Sequence, residues 1–184
     1  MSLLQWFEKG MSFQEYVSSM NVNKDELQFI YDEVEIPEDT QKLLAQLQDK
    51  NWKVVVLTAD WCGDALLNVP IMQKMMEIGN VESRFLIRDE NLELMDQYLT
   101  NGKSRSIPIF IFMDHEGNEV KVWGPRSEEV EALVSGMKKD FPAKDDPNFI
   151  EKQAAVLKSI RKVFVENKLY WTSVIQSVEK RLFS

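Results

Sequence analysis

With 184 residues, 44% hydrophobic and 28% charged, the chain is long enough for one domain with a sizeable core and appendages, and its near-average composition excludes a disordered chain. A formal net charge of −8 argues against nucleic acid as the main partner, and no apolar run approaches the ~20 residues that span a bilayer. The single cysteine permits no intrachain disulfide, and one histidine with no Cys/His cluster argues against a zinc site.

Residues 1–50 read as a helical extension. Ser12-Phe13-Gln14-Glu15 has the form of a capping box, with Phe13, Tyr16, Val17 and Met20 on one face. Asn23 opens a second helix bearing Leu27, Ile30 and Tyr31, and Pro37 opens a third bearing Leu43, Leu44 and Leu47. Such an extension either caps the core or covers one edge of the active site. The N-terminus lacks the basic start and apolar core of a signal peptide.

Residues 51–140 read as the central domain: strand 53–59, helix 62–78, strand 83–88, helix 91–99, strands 108–113 and 118–123, helix 127–139. The continuously apolar Val54-Val55-Val56-Leu57 has the pattern of a strand covered on both faces. From Leu66 the period changes, with Val69, Met72, Gln73 and Met76 at three- and four-residue steps. Met72, Met75 and Met76 read as core filling. Cys62 stands where this helix begins, and there unpaired N–H groups and the macrodipole favour an anion, so a thiol ionises more readily. Asp60 and Asp64 oppose this, because neighbouring carboxylates raise a thiol pKa. Ser127 caps the last helix, ahead of Val130, Leu133, Val134 and Met137.

Phe141 to Asn148 is a polar, proline-bounded linker. Beyond it, residues 149–184 form a helical extension, with Ile150, Ala154, Leu157, Ile160 and Phe164, then Trp171, Val174, Ile175, Val178 and Leu182 at helical spacing. This tail holds seven Lys/Arg and three Glu, a formal +4, against −12 for residues 1–148. Such a tail docks back on the body, or serves a partner or a second copy of the chain in a homodimer.

The stretch Trp61-Cys62-Gly63-Asp64-Ala65, together with Pro70, Ile107-Pro108, the strand Ile109-Phe110-Ile111-Phe112, the turn Asp114 to Asn118 and Gly124, resembles the thioredoxin family over roughly residues 52 to 139. The resemblance implies an α/β thioredoxin-like fold: a mixed four-stranded sheet flanked by helices. It also implies that Cys62 is the reactive thiol, with Trp61 beside the sulfur. Pro70 would be the proline of the helix after it, and Pro108 a cis-proline facing it; from the residues alone, Pro108 is equally an ordinary trans proline at a strand start. A bacterial, cytoplasmic setting and a role in redox homeostasis belong to the same expectation. The departures are Ala65 in place of the second cysteine, Asp64 in place of the proline before it, and Val56 in place of a buried acid. They remove ordinary dithiol activity from what the resemblance implies.

Cys62 is then either a reactive monothiol or a small buried hydrophobe. Lys103 and Arg105, in the loop before Pro108, either hold the carboxylates of a small thiol such as glutathione, offset the two aspartates, or are solvated surface charge. His115 has no expected role. Two function classes follow. In the first, Cys62 exchanges with a protein or low-molecular-weight disulfide and an external thiol resolves the product. In the second, the chain is a redox-inactive binding module that pairs an extended segment along Ile107. A peroxidase-like route through a sulfenic acid is a weaker third. No metal, other cofactor, nucleic acid or membrane is expected.

Overall fold

A computed structural model describes residues 1–139 and 141–184. The expected end of the central unit, residue 140, lies outside the described residues. Four strands form one sheet: β1 (Lys53–Thr58), β2 (Glu82–Ile87), β3 (Ile109–Met113) and β4 (Glu119–Trp123), in the order β2-β1-β3-β4. β1 runs parallel to β2, with Val56 beside Phe85, and antiparallel to β3, with Val56 beside Phe110. β3 and β4 form an antiparallel hairpin with an irregularity at Phe112/Met113. Its turn is closed by Asp114, whose carboxylate accepts the Glu116 and Asn118 backbone N–H groups. Val54 to Thr58 and all of β3 are buried, as strands covered on both faces must be.

The parallel pair is joined by α5 (Gly63–Ile78), which is buried along most of its length and apolar nearly all round. A helix of that kind is stable only when other elements enclose it. Here α3 (Lys24–Glu33), α4 (Glu38–Leu44), α8 (Phe149–Glu166) and α9 (Lys168–Phe183) surround it outside the sheet. Met72, Met75 and Met76 fill the core there. Pro70 lies within α5 and cannot donate the backbone bond that the Leu66 carbonyl would otherwise receive.

The N-terminal extension begins one element earlier than the sequence suggests. Before α2 (Phe13–Ser19), with its Ser12/Glu15 capping box, stands α1 (Leu3–Lys9) with a box of its own from Ser2 and Gln5. Both pack on the β1–β2 side of the sheet, and Met11 between them exchanges two backbone bonds with Phe85, at 2.9 and 2.8 Å. Gly10 permits this approach to the sheet edge: a β-carbon there would lie 2.7 Å from that of Arg84. A 3₁₀ segment, Ala45–Lys50, leads into β1.

The expected helix 91–99 is much shorter: α6 spans Leu92–Met95 only. Beyond it the Gln97 and Tyr98 N–H groups turn to carbonyls three residues back, and the Asp96 side chain is drawn off to Arg105. α7 (Glu128–Lys138) is capped by Ser127 and buries Val130 and Val134. In the tail, Ile160, Phe164, Trp171, Val174, Ile175, Val178 and Leu182 are buried, whereas Ile150 is 82% exposed and Ala154 is also in solvent. The apolar stripe of α8 is therefore seated only in its second half. No helix among the described residues is long and apolar enough to cross a membrane.

Candidate functional site

At the C-terminal end of β1 the chain leaves the sheet through Ala59, Asp60 and Trp61, and Cys62 becomes the N-cap of α5. Its backbone N–H bonds to the Ala59 carbonyl at 3.2 Å and its carbonyl accepts the Leu66 N–H at 3.0 Å. The Sγ–H donates to the Ile107 carbonyl at 3.4 Å, just before Pro108, and the Ile107-Pro108 peptide is cis. A second cis bond, Gly124-Pro125, lies alongside. Gly124 has φ +123° and packs so closely on Pro108 that a β-carbon would run into the Pro108 carbonyl oxygen.

The thiol is 7% exposed, less open than a helix-start position suggests. Burial, and after it the charge of Asp64, pushes its pKa up to about 11. The Ala65 and Asp64 backbone N–H groups pull it down, as a helix start should, and Arg126 does so weakly, but together they do not prevail. The expectation of a thiol that ionises readily is thus overturned by desolvation. Of the two aspartates, only Asp64 acts on the sulfur. The Asp60 carboxylate turns the other way, accepting the Asn21 and Val22 N–H groups at 2.8 and 3.4 Å, while Asn23 Nδ2 donates to the Asp60 carbonyl at 2.8 Å. The N-terminal extension therefore both caps the core and rims this turn.

Asp64 is held by Arg126 through two parallel bonds of 2.8 and 2.6 Å, and a third arm of the guanidinium reaches Glu131 at 2.6 Å. Arg126 is a residue the sequence reading missed; its signal was a cation between Gly124-Pro125 and the N-cap Ser127. Arg88 was missed as well. Its guanidinium lies 4.7 Å from the centre of the Trp61 ring and donates to the Arg105 carbonyl at 3.1 Å, tying the tryptophan to the loop before Pro108. Trp61 itself stands half exposed beside the turn.

Lys103 and Arg105 are not brought to the sulfur as charges. Arg105 makes a bidentate pair with Asp96, at 2.6 and 2.9 Å, and Lys103 is exposed on the loop without an ion pair among the described residues. Gly63 opens α5, Ala65 is buried and Val56 is buried, so no acid or second thiol stands at either position. Tyr16 donates to or accepts from Thr58 at 3.1 Å below the turn and stacks on Phe85. No group of three or more His, Cys, Asp or Glu among the described residues could hold a metal ion.

A family model described as thioredoxin matches residues 10–141. The chain belongs to the thioredoxin family. The match extends from the Met11 edge bridge through the last helix of the sheet domain and leaves α8 and α9 outside it. Among solved structures, a Pseudomonas aeruginosa protein of unknown function is 16% identical with a TM-score of 0.66, covering 98% of each chain. An HIV epitope-scaffold is 14% identical with a TM-score of 0.64, covering 98% of this chain and 99% of that one. Both therefore share the whole architecture, tail helices included, at identities that speak for the fold alone. A thioredoxin from Fasciola hepatica is 28% identical over 47% of this chain and 78% of its own, with a TM-score of 0.33. No curated protein matches.

Proposed function

We propose that this thioredoxin-family protein carries out monothiol exchange through Cys62. The observation that carries the reading is the placement of the chain's one thiol at the N-cap of α5, 3.4 Å from the Ile107 carbonyl before Pro108. The step balances within the two reactants. The Cys62 thiol loses its proton and its sulfur attacks one sulfur of an external disulfide. The S–S bond breaks, and the leaving thiolate takes up the proton. Cys62 is left in a mixed disulfide, which an outside thiol must resolve because Ala65 cannot.

The raised pKa sets the pace. With a thiol titrating at about 11, the thiolate fraction near neutrality is small and climbs with each pH unit. Incubated with a small-molecule disulfide, the protein gains one adduct by intact mass, at a rate that rises about tenfold per pH unit between 7 and 9. Cys62→Ser abolishes the adduct. Failure of the wild-type protein to form it at pH 9 would leave the second reading, a redox-inactive module that pairs an extended segment along Ile107, which the burial of the sulfur favours.

A further inference from the structure

Between the start of α3 and the outward side of α8 runs a cleft of about 510 Å³, a size usual for small-molecule sites. Asn23 and Glu26 line it from one wall, and Lys158, Arg161, Lys162 and Glu166 from the other. Lys158, Arg161 and Lys162 are spaced three and four residues apart and so share one helix face. Two contacts bind the cleft to the Cys62 turn. Asn23 holds the Asp60 carbonyl at 2.8 Å, and the Arg161 stem lies over Gly63, where a β-carbon would stand 3.4 Å from its Cγ. The other arginines around the turn are engaged: Arg88 with Asp89, Arg105 with Asp96, Arg126 with Asp64 and Glu131. Among the described residues, Lys158 and Arg161 make no ion pair, and Lys162 reaches Glu166 only at 3.9 Å.

We propose that this cleft binds a zwitterionic tripeptide thiol of the glutathione type. Its carboxylates lie on Arg161 and Lys158, the guanidinium offering the bidentate geometry a carboxylate prefers, and its ammonium group lies on Glu26. Mixed charge in the lining selects a zwitterion over a polyanion, since Glu26 and Glu166 would repel an acidic peptide. The proposal rests on the reading of Cys62 as an exchanging thiol. It supplies the resolving thiol that Ala65 denies the chain, and it moves recognition from the loop 101–106 to α8.

S-methylglutathione, which has neither a free thiol nor a disulfide, separates binding from exchange. Titrated calorimetrically into full-length protein at low ionic strength, it binds wild type and Cys62→Ser alike. Arg161→Gln weakens binding about tenfold or more, as loss of one charge-assisted bond implies. Lys158→Gln weakens it in the same direction, added salt weakens it further, and Lys103→Gln leaves it unchanged. No binding at millimolar ligand, equal binding by Arg161→Gln and Lys158→Gln, or binding of an acidic peptide in its place overturns the cleft assignment. Binding of S-methylglutathione together with failure of a small-molecule disulfide to form an adduct on Cys62 at pH 9 overturns the exchange reading alone.

Discussion

At Cys62 two effects of one helix start compete. The backbone N–H groups of Asp64 and Ala65 favour a thiolate, while burial and the Asp64 carboxylate disfavour it more strongly. Asp64→Asn removes that second cause and lowers the thiol pKa, so adduct formation at pH 8 becomes faster; an unchanged or slower rate would show that the carboxylate is not felt by the sulfur. Arg126→Gln does the reverse to the thiol, and leaves Asp64, 13% exposed, without its bidentate partner. A loss on the order of 1–3 kcal/mol in denaturant unfolding is expected, less than for a fully buried pair. Linkage gives a further check. A thiol whose pKa rises from 9.0 to about 11 on folding holds its proton longer in the folded chain. Its contribution is complete below pH 9 and is lost as pH rises toward 11, on the order of 2–3 kcal/mol. Tyr31 also titrates late, near 12, so the comparison is wild type against Cys62→Ala between pH 8 and 10. The mutant's stability should fall less steeply, and parallel curves would contradict the shift.

At the scale of elements, the strands and long helices were legible because their periodicity is set by what they bury. The expected strand 53–59 differs from β1 by a residue at one end and the expected helix 127–139 from α7 by a residue at each end, the ordinary fraying of such assignments. The helix 91–99 was over-read because its apolar residues keep helical spacing while Asp96 is taken by Arg105, a partner no local pattern reveals. α1 was overlooked although Ser2 and Gln5 form a capping box, since two turns leave little periodic signal. The site divides in the same way. Cys62 could be found from its place at a helix start, whereas Pro108 and Gly124 could be found only through the resemblance to the thioredoxin family. Arg88, Arg126 and Asn23 could not, because their partners lie far along the chain. Gly124 links the two cis bonds at this site, and its φ of +123° with no room for a β-carbon makes Gly124→Ala strongly unfavourable. Unfolding in denaturant should show a loss of about 2 kcal/mol or more; a loss under half of that would mean the hairpin end can shift away from Pro108.

Across the whole molecule, the tail's formal +4 against −12 invites an electrostatic account of docking, yet the structure gives a mostly apolar one. Between the tail helices and the folded body the described residues show one ion pair, Lys168 to Glu33 at 3.5 Å. What seats α9 is the burial of Trp171, Val174, Ile175, Val178 and Leu182 against α5 and its neighbours. Each large side chain so buried contributes roughly 1.5–3 kcal/mol relative to exposure. Hydrogen bonds fix the register: neutral ones from Trp123 to Ser177 at 3.0 Å and between Ser127 and Ser173 at 2.9 Å, and charge-assisted ones from Thr40 to the Glu179 carboxylate at 2.7 Å and from Arg181 to the Val122 carbonyl at 2.8 Å. Apolar docking is little screened by salt, unlike surface charge pairing. The melting temperature should therefore hold steady between 50 and 500 mM sodium chloride, a range over which the Debye length shortens about threefold, while binding in the α8 cleft falls over the same range. Truncation after Asp146 tests the other half of this account. It uncovers the apolar side of α5 and leaves Trp123 without its acceptor, so the melting temperature should drop and a dye specific for exposed apolar surface should bind. A truncated chain that melts where the full one does would show that α5 is enclosed without α8 and α9, and the cleft beside Cys62 would then belong to a detachable element.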